Sequence, residues 1–160
     1  MSNQDFFLKI DGVKGESQDK EFKDYIQVDG WGWSISQPVN IHEGTGGGAG
    51  KASASDLYIV HRIDSASATL MNLCTKGDAI GSAELVCRKA GGGGIAYLKL
   101  TMSEVIISHV SQQGGGSDFP TESFNLAFAS IKQEYTPQTD KGAKGATITV
   151  EYDFKKNAEK

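Results

Sequence analysis

The stretch Tyr25-Ile26-Gln27-Val28-Asp29-Gly30-Trp31-Gly32-Trp33-Ser34-Ile35-Ser36 decides the fold class. Ile26 and Val28 share one parity, and Trp31, Trp33 and Ile35 share the other. Side chains alternate between faces along a strand, so a parity change inside an apolar run predicts a β-bulge, here at Asp29-Gly30. The signature recurs where Leu98, Leu100 and Met102 give way to Val105 and Ile107, and where Phe124, Leu126 and Phe128 give way to Ile131 and Tyr135. Long strands that change face midway belong to a strongly coiled sheet or barrel; a flat sheet does not need them. Further apolar segments at 6–10, 53–61, 81–89 and 147–154 complete the strand set, the last with Ile148, Val150, Tyr152 and Phe154 in strict alternation.

One segment breaks this pattern. Asp64 and Ser65 offer capping oxygens, Ala66, Leu70, Leu73 and Cys74 follow at helical spacing, and Gly77 stands where a left-handed C-terminal residue is expected. The spacing predicts a helix over about 65–76, long enough to cover one barrel end or one sheet face. The expected fold is therefore mainly β, an antiparallel barrel of two coiled sheets with one short α-helix.

The 160 residues fit a single domain spanning the whole chain, able to bury about 70% of its unfolded surface. Sixteen basic against twenty acidic residues leave a net charge of −4, with no basic excess to recruit nucleic acid. No apolar run approaches the roughly 20 residues that cross a bilayer as a helix. Met1-Ser2-Asn3-Gln4-Asp5 has neither a basic nor an apolar leader region, which predicts no ordinary secretory signal and a chain made in the cytoplasm. Cys74 and Cys87 are too few for a disulfide scaffold and read as free thiols. The glycines bunch at 44–50, 91–94 and 114–116, between strand segments, as connections between strands would.

Gly44-Thr45-Gly46-Gly47-Gly48-Ala49-Gly50-Lys51 invites comparison with a phosphate-binding loop. Such a loop needs Gly, four residues, then Gly-Lys-Ser/Thr leading into a helix. Here Thr45 stands at the first glycine, Ala52 replaces the magnesium-binding hydroxyl, and a strand follows, so the segment reads as a flexible or contact-forming loop. His42, His61 and His109 lie far apart, and with the two cysteines they show no metal-ligand spacing. There is no Gly-x-Ser-x-Gly nucleophile turn, and Cys87 shares parity with Ala83 and Leu85, which makes it a core residue. No catalytic, cofactor or metal residue is assigned.

The two faces of the 30–36 strand differ. Trp31, Trp33 and Ile35 read as core, because each indole buries a large area. Gly30, Gly32, Ser34 and Ser36 form a small, hydroxyl-bearing face, suited to close backbone approach, a solvent-filled lumen or plain exposure.

Over almost its whole length the chain resembles the haemolysin-coregulated protein family, the tube protein of bacterial type VI secretion systems. The likeness runs from Phe7-Leu8-Lys9-Ile10 and Lys14-Gly15-Glu16-Ser17 through Trp31-x-Trp33, Ser36-Gln37 and the 46–51 glycine loop. It continues through Asp56-Leu57, the Asp64 to Met71 segment, Arg88-Lys89-Ala90-Gly91-Gly92, Tyr97-Leu98, Glu104-Val105 and Tyr135-x-Pro137-Gln138. The order and spacing of these pieces carry the resemblance. It implies a phage tail-tube-like barrel, six copies closed into a ring, and rings stacked into a hollow tube. It also implies a contractile sheath around the tube, a VgrG-like spike at its tip, and effectors carried and chaperoned in the lumen. Secretion into the medium or a target cell would follow without a signal peptide. Longer relatives carry C-terminal toxin domains; the charged tail 155–160 implies none here.

On that reading Gly30, Gly32 and Ser34 are expected to line the lumen, Trp31, Trp33 and Ile35 to fill the core, and Gly44 through Lys51 to govern ring stacking. Two rival readings are a monomeric secreted β-sandwich that binds a ligand at its glycine loops, and a hydrolase in an unrecognised barrel.

Overall fold

The computed structural model describes residues 4–39, 41–42, 50–90, 94–116, 118–138 and 143–159. In chain order the elements are β1 (Gln4–Ile10), β2 (Ile26–Val28), β3 (Gly30–Gly32), β4 (Ile35–Ser36), β5 (Ser53–Ala54), β6 (Leu57–Arg62) and α1 (Ser67–Lys76). They are followed by β7 (Ile80–Lys89), β8 (Ala96–Gln113), β9 (Thr121–Tyr135), β10 (Ile148–Asp153) and β11 (Ala158–Glu159). Every ladder is antiparallel.

The segment expected as one bulged strand over 25–36 is three strands with three partners. β2 pairs with β1, Phe6 opposite Val28; β3 pairs with β6, Gly32 opposite Tyr58; β4 pairs with β5. Asp29 is therefore the residue at which the chain exchanges one neighbour for another, and its N–H donates to the Val60 carbonyl at 2.8 Å. This exchange explains the parity change, because Ile26 and Val28 turn inward from one ladder and Trp31 from the next. It also curls the sheet round. The ladders run β2-β1-β7-β8-β9, and β9 carries β6 and then β3 on its other edge, so the order begins and ends on strands one residue apart. β2 and β3 share no ladder among the described residues, and Asp29 joins the two ends of this order through the chain alone.

The second parity change centres on Glu104, which adopts a left-handed φ of 52°. Leu100 and Met102 are buried before it, Val105 and Ile107 after it. Ser103 stays opposite Ser130 and Val105 opposite Phe128, so β8 and β9 turn together without slipping; the bulge lies further on, between Ile107 and His109. The core between these faces holds Leu8, Ile26, Ile59, Leu85, Leu100, Met102 and Phe124, all at most 1% exposed. Each contributes about 1.5–3 kcal/mol of burial.

α1 starts later than the sequence spacing predicts. Asp64 Oδ1 accepts from the Ala66 N–H at 2.8 Å, and Ser67 Oγ accepts from the Asp64 N–H at 3.1 Å. Gly77 closes the helix at φ 64°, its N–H bonded to the Leu73 carbonyl at 2.9 Å. Ala66 and Leu70 sink into the barrel core.

The 11–25 segment folds over β1 and β7. Phe22 stacks on Phe7 at 4.8 Å, and with Val86 they form a second small core. Arg88 holds this flap: its guanidinium lies 5.0 Å from the Phe7 ring centre and bonds Asp5 at 3.1 Å and Asp19 through two nitrogens at 2.5 and 3.1 Å. Those charged hydrogen bonds hold the Asp19 carboxyl at about 2, below its ordinary 3.8.

Candidate channel wall and assembly surfaces

The face opposite the core on β3, β6, β9 and β8 follows from register. One row runs Gly30, Val60, Ser123, Ser111; the next runs Gly32, Tyr58, Asn125, His109. A Cβ added at Gly30 or Gly32 would meet no atom within 4 Å. Tyr58, 47% exposed, interrupts this small and polar face directly opposite Gly32, a feature the strand sequence alone left unplaced. Ser34 is exposed beyond the end of β3, its N–H donating to Ser55 Oγ at 2.8 Å and its carbonyl accepting from the Ser55 N–H at 2.8 Å.

Trp31 and Trp33 are half-buried and pack against the main core, Trp31 edge-on to Phe6 at 6.3 Å and Trp33 edge-on to Phe128 at 6.0 Å. Ile35 departs from expectation. It is 52% exposed, because the β3–β6 ladder ends at Gly32 and the chain continues as the β4–β5 arm, which has two strands among the described residues. Alternation therefore no longer points it inward. Ile35 instead joins Trp33, Ile131, Val150, Tyr152 and Phe154 around an open apolar cavity of about 310 Å³. Val150 and Ile148 on β10 are 56% and 67% exposed, and along 148–151 β10 has a ladder on one side only among the described residues.

The arm leads to the glycine loop. Ser36 and Ser53 share a hydroxyl hydrogen bond at 3.1 Å, and the Gly50 N–H donates to the Pro38 carbonyl at 3.2 Å. A Cβ on Gly50 would sit 2.5 Å from Pro38 Cγ, so this crossing needs glycine. Val39 and Ile41 are 61% and 74% exposed on the same arm. Gly44, Thr45, Gly46, Gly47, Gly48 and Ala49 lie outside the described residues; Gly50 and Lys51 lie at their border.

Among the described residues no cluster of His, Cys, Asp and Glu has the geometry to hold a metal ion. Burial pushes the Cys87 thiol up to about 12, slightly offset by a hydrogen bond from Trp31, which leaves it an inert core sulfur. His61 is buried with Nε2 2.8 Å from Glu122 Oε1. The sequence reading did not find its partner. The available signal was a charged residue on the inward parity of two strands, His61 after Leu57 and Ile59, and Glu122 before Phe124 and Leu126.

Comparison with known proteins places this architecture. Residues 7–135 match the family model described as type VI secretion system effector, Hcp. The chain is 41% identical over 158 residues to the protein hcp1 of Pseudomonas aeruginosa, covering 97% of this chain and 98% of that one. Its fold is similar to the crystal structure of Hcp1 from Salmonella typhimurium, with a TM-score of 0.85, 40% identity and coverage of 99% and 100% of the two chains. A structure described as a type six secretion system protein superposes with a TM-score of 0.92 at 31% identity, covering 98% and 99%. A matched family model across most of the barrel and relatives of this identity over nearly the full length settle the kinship: the chain belongs to the Hcp family of type VI secretion proteins.

Proposed function

We propose that the chain is a structural subunit of the type VI secretion tube and a secreted carrier of effectors, with no catalytic activity. Six copies close into a ring, rings stack into a hollow tube, and the tube is driven by a contractile sheath behind a VgrG-like spike. The chain starts in the cytoplasm and leaves with the tube, without a signal peptide.

The observation that carries this reading is the contrast between the two faces of the β3–β6–β9–β8 wall. Its inner face is a packed core, while Gly30 and Gly32 on the outer face open onto empty space beside Ser123, Asn125 and Ser111. A channel wall that holds cargo without trapping it needs few large side chains and many weak polar contacts. Ser34 extends this wall, and the Tyr58 ring offers one amphipathic contact on it.

Ring closure needs a heterologous interface, in which one surface meets a different surface of the next copy. The apolar cavity at Ile35 and the open edge of β10 are suited to such a role, since exposed apolar edges are normally covered. The glycine loop from Gly44 to Lys51, at the end of an arm bearing Val39 and Ile41, is suited to contacts between rings. Sedimentation or light scattering of the purified chain tests the assembly: a species of about six times 17.1 kDa supports it, and a persistent 17.1 kDa monomer refutes it.

A further inference from the structure

A group of ionisable side chains beneath the N-terminal turn of α1 is not used by the channel reading. His61 on β6 and Glu122 on β9 face each other across the ladder, both inward and at most 1% exposed. His61 Nε2 lies 2.8 Å from Glu122 Oε1, and Glu122 Oε2 accepts from the Gln112 amide of β8 at 2.7 Å. The edge of Phe124 closes another side at 5.3 Å between ring centres. The second ring nitrogen, Nδ1, is buried with no hydrogen-bond partner among the described residues, 3.9 Å from Asp64 Oδ2.

A neutral imidazole has one donor and one acceptor nitrogen. With the proton on Nε2 the contact to Glu122 is made, but the buried Nδ1 lone pair is left facing a carboxylate oxygen. With the proton on Nδ1, the Nε2 lone pair opposes Glu122 at 2.8 Å, which is worse. One additional proton satisfies both sides. We infer that His61, Glu122 and Asp64 form a proton-binding site: mild acidification places one proton between His61 Nδ1 and Asp64 Oδ2, drawing the start of α1 onto β6. The proton comes from solvent, and no other bond changes.

The charges around the ring favour this uptake. Glu122 faces it from β9 and Asp64 from the turn before α1, and Glu16 stands behind Asp64, with Oε2 accepting the Ser65 N–H at 2.7 Å. Arg62 and Asp29 line the adjoining cavity with Asp64, the Arg62 guanidinium lying 4.2 Å from the Phe119 ring centre. Burial also pushes the Asp64 carboxyl above its ordinary 3.8. A raised folded-state value adds stability at low pH that is lost as pH rises through it, the same direction as the proposed uptake. Because Asp64 Oδ1 accepts from the Ala66 N–H, the proton on Oδ2 fastens the helix terminus to the strand.

The test follows the histidine ring nitrogens of the full chain by NMR between about pH 8 and pH 5, the range in which histidine charge changes. His42→Gln and His109→Gln, both at exposed positions, assign the signals. The expected result is that His61 Nδ1 gains its proton in this range with Nε2 remaining protonated. In parallel, the folding equilibrium constant of the wild type should rise relative to Asp64→Asn by up to about tenfold per pH unit, the limit for one proton. Parallel pH profiles for the two proteins, or a bare Nδ1 throughout, overturn the proposal. If Asp64→Asn does not fold, the wild-type ring signals decide alone.

Discussion

Replacing Gly32 with glutamine separates the channel wall from the core more sharply than any other single change. Gly32 lies in a strand, its backbone is outside the left-handed region, and an added Cβ would meet nothing within 4 Å. Glycine in a strand interior costs roughly 0.5–1 kcal/mol against alanine, so Gly32→Gln should be neutral or stabilising by up to about 1 kcal/mol. For a chain of this size that is a rise in Tm of at most about 4 °C. Trp31, one residue away and facing the opposite side, gives the contrast. It is half-buried against the core and packs on Phe6, so Trp31→Ala should cost about 2–3 kcal/mol, or roughly 4–12 °C. Thermal unfolding by circular dichroism reads both values. On the proposed ring, six glutamines would project into the channel and should then reduce recovery of a co-expressed type VI effector with the purified rings, leaving the rings intact. If Gly32→Gln unfolds the chain, the face assignment is wrong; if it carries effector as well as the wild type, the wall is not the cargo surface.

Asp19→Asn should destabilise the chain by about 1–2 kcal/mol at neutral pH through loss of charged hydrogen bonds to Arg88. Because the Asp19 carboxyl is held at about 2 against 3.8, the wild type should keep this stabilisation above about pH 4 and lose it as pH falls towards 2, whereas Asp19→Asn should have a flatter acid limb. Superimposable urea midpoints across that range would contradict the role of Arg88. Cys87, fully buried and pushed up to about 12, should react with a thiol reagent only as the chain unfolds, while half-buried Cys74 reacts in the folded state. Equal labelling rates for the two would show that the barrel wall opens.

Much of the fold was legible because strands and helices sort side chains by period. Leu98, Leu100 and Met102 against Val105 and Ile107 marked the turn at Glu104, and Gly77 marked the end of α1 by its need for positive φ. The break at Asp29 was visible as a parity change, but its cause was not. A bulge and an exchange of partners leave the same trace in one strand, and only the ladders to β1 and β6 distinguish them.

Ile35 was misleading for a related reason. Apolar alternation states that a face will be covered and does not state by what; Ile148 and Val150 stay exposed among the described residues. His61 and Glu122, far apart in sequence, are joined by the β6–β9 register, which alternation cannot supply. The flap clamped by Arg88 was missed because Asp5, Asp19 and Arg88 come from three separate segments, brought together by the β1–β7 register and the fold of the 11–25 segment.

Negative-stain electron microscopy of the purified chain addresses the account most directly. Annular particles with an open centre, some joined face to face into short cylinders, are the predicted image. Compact particles without a hole, at every protein concentration, would contradict it.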